Sequence, residues 1–139
     1  MAIELEWTGG ERFRAVTPEG VEIQLDGGRA AGISPTDALL VAFASCMGID
    51  VVDILTKGRQ APRACRLRVA GERRESPPRR FTRIRLDVRL VGPGISRAKA
   101  ERAVDLSRTT YCSVWNTLAP DVELEVDLEL VEESGPDPA

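Results

Sequence analysis

The sequence predicts an α+β domain with the element order β-β-β-α-β-β-α-β. Three observations point there. Several stretches alternate apolar and polar residues, two stretches carry helical periodicity with clear start signals, and turn residues sit at the junctions. A chain of 139 residues is one ordinary domain. Residues 1–133 read as that single domain, and the Gly-Pro run over 134–139 reads as a flexible tail.

Residues 3–7, 12–16 and 21–25 alternate (Ile3, Leu5, Trp7; Val21, Ile23, Leu25), with Gly9-Gly10 and Pro18-Glu19-Gly20 between them. That pattern predicts a small antiparallel meander. Asp26-Gly27-Gly28 ends it. A helix then opens with Ser34 as N-cap, Pro35 at the first helical position and Asp37 in the first turn. It runs to about Lys57, where Gly58 and the basic pair Lys57 and Arg59 suit a C-terminus. Its length is about 35 Å at 1.5 Å per residue. Arg66 to Arg74 and Phe81 to Val91 alternate again across Ser76-Pro77-Pro78, and Gly92-Pro93-Gly94 closes the second strand. Ser96 caps a second helix carrying Ala100, Ala103, Val104 and Leu106, and 111–118 continues it or follows a bend. Val122 to Leu130 alternates over its whole length with its glutamates toward water.

The first helix is uncharged from Ala38 through Ile49, with Cys46 inside that run. A helix apolar on every side must be covered on every side. Short strands and one amphipathic helix do not supply that cover, and wet apolar surface forfeits about 25 cal/mol per Å². A twofold partner packing its own helix there is the simplest remedy, so a homodimer is expected.

The chain has no histidine. That removes Ser-His-Asp and Cys-His hydrolases, His-ligated catalytic zinc and His-held haem. Also missing are G-x-x-x-x-G-K, G-x-G-x-x-G after a strand, and C-x-x-C. The net charge of −3 gives no general footprint for nucleic acid or an acidic membrane. The arginine-rich stretch from Arg59 to Arg89 reads as solvated strand faces, with a local anion or partner site as the alternative. No run reaches about 18 consecutive apolar residues, and the acidic start Ile3-Glu4-Leu5-Glu6 lacks the form of a signal peptide. A soluble cytoplasmic protein is expected, with no organic cofactor and no metal. Cys46, Cys65 and Cys112 are too few for a disulfide scaffold, and as a zinc site they lack the spacing and a fourth ligand.

Cys46 and Cys112 have two readings. One is packing, because free cysteine behaves as a small buried hydrophobe. The other is a peroxidatic pair. One thiolate attacks a peroxide O–O bond and becomes a sulfenic acid, and the second thiol condenses with it to a disulfide that an outside dithiol reduces. That chemistry needs a cation to keep one thiol ionised, and arginine is the natural supplier. Leu39, Phe43, Met47 and Trp115 are candidates for an apolar wall that favours organic hydroperoxides.

Ser34-Pro35-Thr36-Asp37-Ala38-Leu39-Leu40, Ala44-Ser45-Cys46, Asp50-Val51-Val52 and Leu55-Thr56-Lys57-Gly58-Arg59, with Tyr111-Cys112-Ser113-Val114 later, resemble the OsmC/Ohr family. Pro78 to Ile84 fits as well, so the likeness spans nearly the whole chain. The resemblance implies an intertwined homodimer that buries its central helices, and thiol-dependent reduction of hydroperoxides, often organic. It makes Cys46 peroxidatic and Cys112 resolving, and it takes an activating arginine from the N-terminal strands. Arg12, Arg14 and Arg29 are the candidates, with Arg29 in the loop before the helix as first choice. In the best-characterised branch a glutamate follows the helix-start proline and helps hold that arginine. Here Thr36 stands in that place and Asp37 comes one residue later. Asp37 precedes Cys46 by nine residues, about 13 Å along a straight helix and on its opposite side, so only a partner's Asp37 could approach it. The rival readings are a dimer with structural cysteines and a small-molecule binder using its cleft.

Overall fold

The computed structural model describes residues 1–133; the expected tail at 134–139 lies outside them. The observed order is β1 (Glu4–Gly9), β2 (Arg12–Val16), β3 (Glu22–Asp26), α1 (Pro35–Lys57), β4 (Ala64–Arg73), β5 (Phe81–Val91), α2 (Arg97–Leu106), a π-helical turn (Ser107–Tyr111), α3 (Ser113–Thr117) and β6 (Glu123–Val131). This is the predicted α+β order, with a π turn at Ser107–Tyr111 leading from α2 into a short separate helix within 111–118. Contacts divide the chain into two compact units, Met1–Leu39 and the residues from Leu40 onward, and the boundary falls within α1.

In the first unit β1, β2 and β3 form an antiparallel meander. Its register places Leu5 opposite Ala15, Trp7 opposite Phe13, Phe13 opposite Leu25 and Ala15 opposite Ile23. Side chains alternate across a sheet, so these six residues share one apolar face. Ala15 is buried there, but Leu5 is 54% and Trp7 63% exposed. On the other face Arg14 lies between Glu6 and Glu22 and pairs with both, at 3.3 and 2.9 Å. The predicted cap is present at the start of α1: the Asp37 N–H donates to Ser34 Oγ (3.2 Å) and the Ala38 N–H to Ser34 O (2.8 Å).

In the second unit β5 is the central strand, antiparallel to β4 and parallel to β6. A parallel neighbour requires a crossover, which α2, the π turn and α3 provide. Ile84, Leu86, Val88 and Leu90 of β5 point inward and have no more than 1% of their surface exposed. They meet Phe43, Met47, Val51 and Leu55 of α1 and Ala100, Ala103 and Val104 of α2 in one core. Gly48 allows α1 to lie close on β4, because a Cβ there would stand 2.6 Å from Leu67 Cδ1. The outer face of the sheet is charged: Arg83 pairs with Glu125, Arg85 with Asp127 and Arg89 with Glu129.

Helix α1 ends at Lys57, where the sequence places its C-terminus. The left-handed residue ending α1 is Arg59 (φ 63°), with Gly58 still bonded back to the Ile54 carbonyl. Helix α1 is 23 residues long and contains an 18-residue stretch with a mean hydropathy of 2.1, so by length and composition alone it could cross a membrane. Ser45, Asp50 and Asp53 interrupt the run without lowering the average enough. Here α1 is a core helix, with Phe43, Met47 and Val51 sealed against the sheet.

The rest of α1 is not sealed. Val41 and Ile49, two turns apart, are 52% and 68% exposed within this chain. Beside them Gly48, Val52, Cys65 and Leu67 line an open apolar groove of about 520 Å³ between α1 and β4.

Candidate functional site

The second unit brings the two predicted thiols together. Cys46 lies half-buried midway along α1, and Cys112 is fully buried at the end of the π turn. The Cys46 side chain is among the groups that act directly on the Cys112 thiol. A π turn inserts an extra residue into a helix and often marks a functional position. Here the Cys112 N–H reaches back five residues to the Ser107 carbonyl at 2.7 Å. Cys112 is also the N-cap of α3: its Sγ accepts from the Trp115 N–H at 3.3 Å. Asn116 Nδ2 donates to the carbonyls of Cys112 (2.8 Å) and Arg108 (3.1 Å), which fixes the turn from its far side.

Burial, above all, pushes the Cys112 thiol up to about 11. The Trp115 N–H pulls the other way, while the Cys46 side chain and the charge of Asp50 add to the rise. Cys112 is therefore a neutral thiol at ordinary pH. Cys65 lies apart from this pair, on the wall of the groove between α1 and β4, and its thiol is pushed up by burial alone.

Sequence reasoning quoted Asp50 only within a resemblance motif, without a role, and did not name Ser107. Asp50 follows Cys46 by one helical turn, and its Oδ2 accepts from Ser107 Oγ at 2.7 Å. Ser107 has no exposed surface. The available signal was an acid within a helix otherwise given to apolar residues.

The proposed apolar wall is placed as follows. Phe43 and Met47 have no exposed surface and lie in the core. Trp115 is half-buried, its ring 5.4 Å from that of Phe43 and its face 6.0 Å from the Arg108 guanidinium. Leu39 is half-buried in the first unit. Among the described residues no three His, Cys, Asp or Glu side chains gather as a metal site would require.

The first unit holds the other two predicted residues, and it joins them. Arg29 Nε and Nη2 donate to the two oxygens of Asp37 at 2.8 and 3.2 Å, a bidentate pair. The loop that presents Arg29 is organised by Asp26. Its buried carboxylate accepts from the Gly28 N–H (2.8 Å) and the Ala31 N–H (2.9 Å), and these bonds hold it below the usual carboxylate range. Arg29 itself adopts a left-handed backbone (φ 59°), a conformation that non-glycine residues keep only where surroundings enforce it. Arg12 and Arg14 lie on β2, with Arg14 committed to Glu6 and Glu22.

The sequence profile of OsmC-like proteins matches residues 26–127, which include both thiols and the Arg29–Asp37 pair. The chain belongs to the OsmC-like family. Protein YhfA of Escherichia coli (strain K12) is 38% identical over 132 residues, which cover 94% of this chain and 98% of YhfA. Among solved structures, a protein from Aquifex aeolicus VF5 matches this OsmC-like chain at 33% identity with a TM-score of 0.87, over 96% of this chain and 97% of that one. The organic hydroperoxide resistance protein OhrB of Bacillus subtilis shares the fold at 16% identity and a TM-score of 0.64, over 93% of this chain and 98% of its own.

Proposed function

We propose that this OsmC-like protein is a cytoplasmic, homodimeric, thiol-dependent peroxidase that reduces organic hydroperoxides. The carrying observation is that Cys46 and Cys112, from distant parts of the chain, act on each other side chain to side chain, with the half-buried thiol on the helix and the buried one on the turn. The Cys46 thiolate attacks the O–O bond of the hydroperoxide. Cys46 becomes a sulfenic acid, and the alkoxide leaves and takes up a proton as an alcohol. Cys112 then attacks the oxidised sulfur. Its proton departs with the hydroxyl as water, and a Cys46–Cys112 disulfide forms. A dithiol of the lipoyl type restores both thiols by exchange.

Of the candidate arginines we assign Arg29 as the cation that keeps Cys46 ionised. A cation of that kind must be fixed, and Asp37 fixes Arg29 by two parallel bonds, whereas Arg14 is engaged by two glutamates. Asp37 thereby takes the role that a glutamate at the position of Thr36 has in the best-characterised branch. Two open apolar surfaces support the homodimer: one face of the first unit's sheet, and the Val41–Ile49 side of α1 with its groove. A second copy of the chain is the occupant of matching apolar character.

The test is consumption of cumene hydroperoxide with dihydrolipoamide as reductant. The parent should turn over and Cys46→Ser should not; equal rates would remove Cys46 as the nucleophile. The sealed, neutral Cys112 also suits a dimer whose cysteines only pack. In that case neither thiol of the folded protein reacts with hydroperoxide, and the same assay reads no turnover in the parent.

A further inference from the structure

Asp50 is an expensive residue for its place. It is half-buried one turn beyond Cys46 on a core helix, where an aliphatic side chain would pack without the cost of partly desolvating a carboxylate. Its oxygen is met by a hydroxyl that is itself sealed from water, Ser107 Oγ at 2.7 Å. Ser107 is the first residue of the π turn, and its carbonyl is the acceptor for the Cys112 N–H at 2.7 Å. One short path thus runs from the helix carrying Cys46, through Asp50 and Ser107, to the backbone of Cys112. The path consists of two hydrogen bonds, each of 2.7 Å. It ties the turn of Cys112 to α1 one helical turn beyond Cys46.

We propose that Asp50, oriented by Ser107, is the positioning residue of the resolving step: it holds the turn of Cys112 in register with Cys46, so that disulfide formation outruns further oxidation of Cys46. The inference deepens the thiol-pair reading above and rests on it. The step is the condensation already written, in which Cys112–SH and Cys46–SOH give the disulfide and water. Asp50 touches neither the peroxide nor the leaving oxygen. Its effect lies in where the Cys112 sulfur stands when Cys46 is oxidised, and misplacing a reacting atom by about 1 Å can cost on the order of a hundredfold in rate. Without the brace the sulfenic acid waits in the path of a second peroxide, which carries it to the sulfinic acid.

The test uses the full chain and two oxidants. Diamide, an azo compound that takes up the two hydrogens of a dithiol, reports disulfide closure without any peroxidase activity. Cumene hydroperoxide reports the partition of Cys46 between disulfide and sulfinic acid by mass spectrometry. Asp50→Ala removes the acceptor and Ser107→Ala removes the donor, while Asp50→Asn keeps an oxygen that Ser107 can still reach. Disulfide closure should slow by about a hundredfold in Asp50→Ala and Ser107→Ala and recover most of its rate in Asp50→Asn. Sulfinic Cys46 should accumulate in the two alanine variants, while the first step, trapped as sulfenic acid with dimedone, keeps its parental rate. Parental closure in both alanine variants overturns the proposal. So does an Asp50→Asn variant as slow as Asp50→Ala, which would assign the effect to charge, or an equal loss in the first step. Thermal unfolding is followed alongside; if Asp50→Ala does not fold, Ser107→Ala, a smaller change, carries the test. A parent that closes its disulfide with diamide but ignores hydroperoxide defeats the peroxidase reading and leaves this one standing.

Discussion

The two compact units treat their apolar residues in opposite ways. From Leu40 onward the alternating strand β5 buries all of its inward residues between helices and neighbouring strands. In Met1–Leu39 an equally regular alternation makes a sheet with one apolar face, and most of that face is open. Periodicity fixes which side of a strand is apolar, and it says nothing about what covers that side. A meander of three short strands has too little chain to build its own second layer, so it depends on another surface. The buried unit carries the thiols, and the open one carries the cation with its carboxylate.

The first way to test this contrast is to cut into each face. Leu86→Ala, in the sealed core, should lose about 2–5 kcal/mol of unfolding free energy in urea. Leu5→Ala should lose much less at concentrations where the protein is monomeric; an equal loss would mean that the sheet face is already covered within one chain. Next in size is the cation. Arg29→Ala should lower the rate of sulfenic acid formation on Cys46 by about a hundredfold, and Asp37→Ala by less, because the guanidinium remains and only its aim is lost. If Arg14→Ala has the larger effect in a stopped-flow comparison, the assignment moves to β2. Ile49→Glu should convert the proposed homodimer to a 15.2 kDa species in equilibrium sedimentation, with Cys46 chemistry falling alongside.

The smallest effect is a pH dependence confined to the first unit. Asp26 titrates below its ordinary value of 3.8, chiefly through the N–H groups of Ala31 and Gly28. A carboxylate lowered in the folded state gives stability that is complete above the unfolded value and lost as pH falls through the folded one. The loop holding Arg29 should therefore loosen below about pH 4, seen as faster amide exchange at Ala31, and Asp26→Asn should abolish that acid phase.

Much of this architecture was legible in the sequence because alternation, caps and glycines act locally. Ser34 and Ser96 cap as their sequence context predicts, and all six strands lie within one or two residues of where alternation puts them. The two thiols were legible as a pair through resemblance, since nothing local in Tyr111-Cys112-Ser113 points to Cys46. The π turn was not, because an extra residue in a helix leaves no period of its own. Asp50 and Ser107 escaped for the same reason as the Arg29–Asp37 bond: each is a contact made by folding, and single residues of these types are common on any surface.

The charged outer face of the second sheet has one more effect. Both of its outer strands, β4 and β6, could in principle accept a further strand, which is how folded sheets begin to aggregate. Along β6 every outward position from Glu123 to Glu129 is acidic, so two β6 strands laid side by side would set a row of carboxylates against its mirror image. On β4, Arg66 and Arg68 do the same with positive charge. Like edges repel, so β6 is disfavoured against a second β6 and β4 against a second β4.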